Sequence, residues 1–153
     1  MSYPVKEKIA RNLFETIASV NTANGYSYDL VVERYHAKRY QPTHLKTVIY
    51  QLPEVKTGPQ ISNIEERILQ VGVDVFILQG DTDPTPVDVY CNLIEADIVT
   101  AVKLDSSRGQ LAIDTDVDPA EPFADTAGEV DGFSMQVNIT YRTSWGDPYT
   151  VRA

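Results

Sequence analysis

Residues 63–79 read NIEERILQVGVDVFILQ, and their alternation decides the fold. Val71, Val73, Val75 and Ile77 fall at every second position, which places them on one face of an extended chain. Gly72, inside this run, predicts a bend or a bulge. The natural hairpin partner is the stretch Lys46-Thr47-Val48-Ile49-Tyr50-Gln51-Leu52, which is strand-like and stops at Pro53. Between the two, residues 54–60 (EVKTGPQ) are turn chemistry, with Gly58-Pro59 as the clearest signal.

Working outward, the N-terminal side opens with a helix. Val5, Ile9, Leu13, Ile17 and Val20 recur at three- and four-residue spacing, Phe14 widens the stripe, and Pro4 suits the first turn. Gly25 is expected to take the left-handed conformation that ends it. Residues 26–34 alternate as a strand, and residues 35–45 (YHAKRYQPTHL) form a basic, aromatic loop. On the C-terminal side, Thr85 is the expected N-cap of a second helix, with Pro86 at its first position and a stripe of Val87, Tyr90, Cys91, Ile94, Ile98, Ala101 and Val102. Residues 110–117 alternate, with Leu111, Ile113, Thr115 and Val117 on one side. Residues 119–126 read as loop, residues 132–142 as a strand carrying Phe133, Met135, Val137, Ile139 and Tyr141, and residues 145–148 as a turn. The order α-β-β-β-α-β-β predicts one α+β domain over 1–153, a mainly antiparallel sheet of about five strands with two helices packed on it. The loops near 35–45, 53–62 and 117–131 are the expected assembly contacts.

The chain of 153 residues has 42% hydrophobic content, enough for a real core. A single cysteine excludes a disulfide framework within the monomer and thiolate zinc sites. Met1 to Ala10 contains no apolar h-region, and no apolar run approaches the ~20 residues of a membrane span. The expected setting is a cytoplasm-like compartment, or a particle assembled there, with no membrane partner.

The net charge of −9 is unevenly placed. Residues 1–73 carry nine Lys/Arg against seven Asp/Glu, a net +2. Residues 74–131 carry two against fourteen, a net −12, and residues 132–153 two against one, a net +1. Such segregation marks surfaces rather than a fold.

Asp114, Asp116 and Asp118 begin like an EF-hand calcium loop, but the sixth position is Pro119 and the twelfth is Asp125, where that loop needs Gly and a bidentate Glu. On a strand the three share a solvent face, and a loose divalent-ion site with Glu121 is the alternative. His36 and His44 lack metal-ligand spacing; with Lys38, Arg39, Tyr35 and Tyr40 they make either a phosphate-touching patch or a solvated loop. Asp81, Asp83 and Asp88 flank a helix start, where the helix dipole accounts for them. G-x-S-x-G, P-loop, G-x-G-x-x-G and H-E-x-x-H motifs are absent, and Cys91 on the helix stripe is expected as a buried core thiol. No catalytic residue, no metal site and no cofactor is expected.

The opening helix KIARNLFETIASV, the long strand ERILQVGVDVFIL, the helix VDVYCNLIEADIVTAV and the closing VNITYRTSWGDPY, in that order, resemble the tail-terminator (tail-completion) and related minor tail proteins of long-tailed bacteriophages. The resemblance spans nearly the whole chain and rests on element order and the strand ending Tyr141-Arg142-Thr143, then Gly146-Asp147-Pro148. It implies a non-enzymatic structural virion protein: a ring, typically hexameric, that caps the tail tube at its head-proximal end and stops its polymerisation. The ring would meet the tube protein on one side and the neck or head-completion protein on the other, with DNA passing through the lumen unbound. A neck or head-tail adaptor is similar in size and stands as the alternative; a small acidic-site ion-binding protein or hydrolase is the remoter one. A ring built from one chain needs two unlike surfaces. The expected pair is a basic set (Arg34, Lys38, Arg39, Lys46) and an acidic set (Asp114, Asp116, Asp118, Glu121). An acidic lumen is a competing use of the same carboxylates, because it would repel phosphate.

Overall fold

The computed structural model describes residues 2–34, 46–57, 63–78, 85–123 and 130–152. The loop residues Lys38 and Arg39, both histidines and the Gly58-Pro59 turn lie outside these. Two strands dominate, β4 (Ile64–Leu78) and β7 (Val130–Ser144), each fifteen residues long. They pair antiparallel without a break, from Ile64 against Ser144 to Leu78 against Val130. The other strands are β1 (Val31–Arg34), β2 (Lys46–Gln51), β3 (Val55–Lys56), β5 (Asp114–Val117), β6 (Glu121–Pro122) and β8 (Asp147–Val151). The path across the sheet is β1-β2-β4-β7-β5; β3 also joins β4, and β6 and β8 also join β7.

The helices α1 (Val5–Ala18) and α2 (Val87–Lys103) cover one face. Alternation sets which side chains meet them. Leu69, Val71, Val73, Val75 and Ile77 of β4 and Phe133, Met135, Val137, Ile139 and Tyr141 of β7 are buried against Val5, Ile9, Leu13 and Ile17 of α1 and Ile94, Ile98 and Val102 of α2. The even-numbered residues of the described β4 and β7 side chains face the other way, where neither helix packs. No helix among the described residues is long and apolar enough to cross a membrane.

The α+β architecture, both helices and the β2–β4 pairing agree with the sequence expectation. Several details differ. Among the described residues the sheet has eight strands and is mixed, because β1 runs parallel to β2. Only residues 31–34 of the expected 26–34 strand pair; Tyr28 instead turns onto α2 and meets Tyr90, ring centroids 4.2 Å apart. Residues 110–113 are turn, so Ile113 is exposed and Leu111 lies outside the strand. The short β3, β6 and β8 fall in stretches read as loop or turn, because β4 and β7 outrun their main partners and recruit whatever chain passes their free edges. Helix α2 starts at Val87 with Pro86 in the cap position and no side-chain cap from Thr85, and Pro4 likewise sits at the cap position of α1. Gly25 is left-handed as expected, but it caps a short 3-10 turn, Thr22–Asn24, that follows α1.

Gly72 is not a bulge, since both ladders run through it in register. It makes room instead for the Tyr50 ring, which a Cβ would meet at 2.3 Å. Gly132 has φ +146 and its Cβ would fall 1.9 Å from the Val75 carbonyl oxygen.

After α2 the chain turns back over its own last carbonyls. Arg108 has no exposed surface; it donates to the Val102 carbonyl at 2.5 Å, to the Asp105 carbonyl from Nε at 2.9 Å, and to Thr16 Oγ1 at 3.4 Å. A cation buried there answers the negative end of the helix dipole and joins α2 to α1. Two outcomes are expected in equilibrium unfolding. Arg108→Ala should lose about 3 kcal/mol or more, because carbonyls are left buried and unpaired. Gly132→Ala should destabilise more than Gly72→Ala, because the backbone of Val75 cannot yield whereas the Tyr50 ring can swing aside.

Candidate functional site

The charges of β4 do not follow its hydrophobic rhythm to the end. Glu65 and Arg67 share the parity of Leu69 and Val71, so they sit on the helix-bearing face beside the start of α1. Arg67 lies opposite Tyr141. Glu54, on the approach to β3, completes a cluster: Arg67 Nη1 reaches it at 3.1 Å, the Tyr141 hydroxyl donates to it at 2.8 Å, and Lys6 Nζ lies 3.5 Å away. Arg67 also pairs with Glu65 at 3.4 Å. Lys6, Glu65, Arg67 and Tyr141 of this cluster line a cleft of about 590 Å³, together with Glu7, Asp147, Pro148 and Tyr149. Burial, then the bond to Glu54, drives the Tyr141 phenol well above its ordinary value.

The ion pairs of this region share one polarity of burial. Lys6 is 42% exposed over a Glu54 that is 11% exposed. Lys56 is 58% exposed over a Glu65 that is 14% exposed. Arg11 and Arg34 likewise lie outside Glu7, and on the helix-free face Arg142 lies outside Glu66. In each of these pairs the cation is the more exposed partner.

The acidic set is arranged the other way. Asp114 and Asp116 stand opposite Thr140 and Asn138, and Glu121 opposite Ser134, all of even parity on β7 and therefore on the helix-free face. Asp118 continues the row through its backbone bond to Gln136. The one ion pair among them, Asp116 with Lys103 at 3.5 Å, leaves the carboxylate 68% exposed and the lysine 46%. Asp114, Asp118 and Glu121 have no ion-pair partner among the described residues. Among the described residues no three His, Cys, Asp or Glu side chains converge as metal ligands would.

The basic set fares differently from its expected role. Arg34 is spent within the molecule, clamping β1 to α1 through two bonds to Glu7 at 2.7 and 3.2 Å. Lys46 opens β2 and pairs in the backbone with Val31 and Phe76. Lys38 and Arg39 lie outside the described residues. The cations that do face outward, Lys6, Lys56 and Arg67, were missed in the sequence. For Arg67 the signal was available, a charged residue at the core-facing parity of a strand; Lys6 on α1 and Lys56 in a stretch read as turn carry none. Cys91 is half-buried rather than buried. Burial, and then the carboxylates of Asp131, Asp88 and Glu95, raise its thiol, so it is held as the unreactive protonated form.

No protein-family model matches this chain, and no curated protein sequence matches it.

The bond from Arg34 is the first cause holding the Glu7 carboxyl below its ordinary 4.5. Bonds from Thr57 and Arg142 do the same for Glu66. A carboxyl lowered in the folded state contributes stability that is present above the unfolded value and lost as the pH falls through the folded one. Stability should therefore decline below pH 4.5, and Glu7→Gln should flatten that decline in acid unfolding monitored by circular dichroism. At the alkaline end the sign reverses. The unfolded Tyr141 ionises near 10.0 while the folded phenol stays protonated, so stability should fall above that pH and Tyr141→Phe should remove part of the fall.

Proposed function

We propose that this chain is a structural virion protein of a long-tailed bacteriophage. It forms a ring that caps the tail tube, ends its polymerisation and offers the joining surface to the head or neck. The observation that carries the reading is the pair of unlike faces on one α+β domain: the helix-bearing side holds a cluster of ion pairs around Glu54 and Arg67, and the helix-free side exposes Asp114, Asp116, Asp118 and Glu121 in a row. A closed ring of identical subunits requires such a heterologous pair. The element order that resembles tail-terminator proteins supports the same role. No enzymatic step is part of it. DNA would cross the lumen without specific contacts, and a lumen lined by carboxylates would let phosphate slide past.

The test is assembly. Native mass spectrometry and negative-stain electron microscopy of the full chain, alone and with the tail-tube protein of its own particle, should show a ring of about six subunits. Adding it to polymerising tubes should shorten and cap them. A protein that stays monomeric, with or without tubes, and leaves tube length unchanged would overturn the reading. A ring located in the intact particle between neck and capsid, rather than on the tube, would make it a head-tail adaptor instead.

A further inference from the structure

We infer that α2 is the seat of a two-fold contact between copies of this chain, in which the outer face of one α2 packs antiparallel on the outer face of another. The contact goes beyond the ring reading. A two-fold contact closes at two subunits, so it is separate from the head-to-tail contact that a ring needs.

The sequence of α2 is apolar on two sides. Tyr90, Ile94, Ile98, Ala101 and Val102 are buried in the core. Val89, Leu93, Ala96, Thr100 and Leu104 also recur, at spacings of four, three, four and four. At about 100° per residue these fall within an arc of about 80°, turned away from the buried stripe. Leu104, the C-cap, keeps helical backbone angles and so continues the arc. Every residue of the arc is exposed, Val89 at 44%, Leu93 at 40% and Leu104 at 78%. No charged residue of α2 falls within it. A surface helix of one domain carries one apolar stripe, and a helix apolar on both sides is one that is covered on both. Alternating steps of three and four residues are the seam of helix-on-helix packing, so the cover is a helix.

Residue size selects which helix. The seam is large in its N-terminal half, at Val89 and Leu93, and small in its C-terminal half, at Ala96 and Thr100. A second α2 laid antiparallel sets Leu93 of one copy against Ala96 of the other, and Val89 against Thr100. Large then meets small along the seam, as close packing requires. A parallel copy would set large on large and small on small. Leu104 of one copy falls over Pro86 of the other, which is also exposed. The helix ends agree as well. Asp88, in the first turn of one copy, comes beside Lys103, in the last turn of the other, and the two helix dipoles oppose. Lys103 already holds the Thr115 carbonyl at 3.0 Å and Asp116 at 3.5 Å, so shape rather than this charge pair sets the register. An anionic lipid surface fits the stripe less well, because α2 carries Asp88, Glu95 and Asp97 against a single lysine.

The experiment is a size-swap cycle on the full chain, read by sedimentation equilibrium over a concentration series and by native mass spectrometry. One helix pair is a small interface, so the association belongs to the weak class and the series must reach high concentration. Leu93→Ala and Ala96→Leu should each weaken dimerisation by about tenfold, because each alters the contact twice in one dimer. The variant carrying both should recover most of that loss, since the two sizes change places across the antiparallel seam. Leu93→Glu should abolish the dimer while leaving any ring intact. The substituted positions are exposed, and thermal unfolding of every variant controls for fold. Disulfide trapping in a Cys91→Ser background reads the register directly. A mixture of Leu93→Cys and Ala96→Cys chains should cross-link between the two kinds faster than either kind with itself. A wild type that shows only monomers or single rings at every concentration would overturn the contact without touching the ring reading. Dimers that Leu93→Glu leaves unchanged, a double variant no better than the weaker single one, or cross-linking chiefly within each kind of chain would overturn it too.

Discussion

The long antiparallel ladder between β4 and β7 is the constraint on which everything else depends. Fifteen residues on each strand, paired without a bulge, bring together segments separated by α2 and two short strands. Because side chains alternate, this register assigns every residue of both strands to one of two faces at once. A slip of one position would send Val71, Val73 and Val75 to solvent and Asp74 and Gln70 into the core. The burial of the odd-numbered residues under both helices makes such a slip prohibitively unfavourable.

The same register distributes the charge. At one end of the ladder it turns Glu65 and Arg67 toward the start of α1, where they join Glu54, Lys6 and Tyr141 in a bonded cluster. In the middle it holds β5 against residues 137–140 so that its aspartates emerge on the far face. The acids of the first cluster are desolvated and therefore need cations close by. The acids of β5 stay in water and need none. The long strands thus set one group of carboxylates among packed cations and another group in solvent on the opposite face. Exposed ion pairs contribute little to folding, which leaves their outer cations available for a partner.

Much of this was legible in the sequence where a residue's environment depends on its near neighbours. The alternation of Val71 to Ile77 and of Phe133 to Tyr141 reads directly as strand, and Val5 to Ile17 reads as a helix stripe, because each period is a local geometric consequence of the backbone. The solvent face of Asp114, Asp116 and Asp118 follows from the same rule. What failed was anything decided by distant chain. Residues 26–30 alternate like a strand, yet Tyr28 is worth more against Tyr90 than in a ladder. Residues 145–148 contain a proline and read as turn, yet from Asp147 the chain pairs with the free edge of β7. Arg34, expected on an interface, is held by Glu7 of a helix twenty-seven positions earlier.

The sequence by itself therefore determined the two long strands, the two helices, the α+β class and the existence of a segregated acidic block. Hydrophobic period and charge count are properties of contiguous residues and need no partner to be read. Only the tertiary structure decided which charges are spent and which are presented. Glu54, Glu65 and Glu7 are silenced by cations brought from other elements, while Asp114, Asp118 and Glu121 have no ion-pair partner among the described residues, and nothing in their residue types distinguishes the two groups. The difference is desolvation, which depends on what packs over a carboxylate and so exists only once the chain has folded.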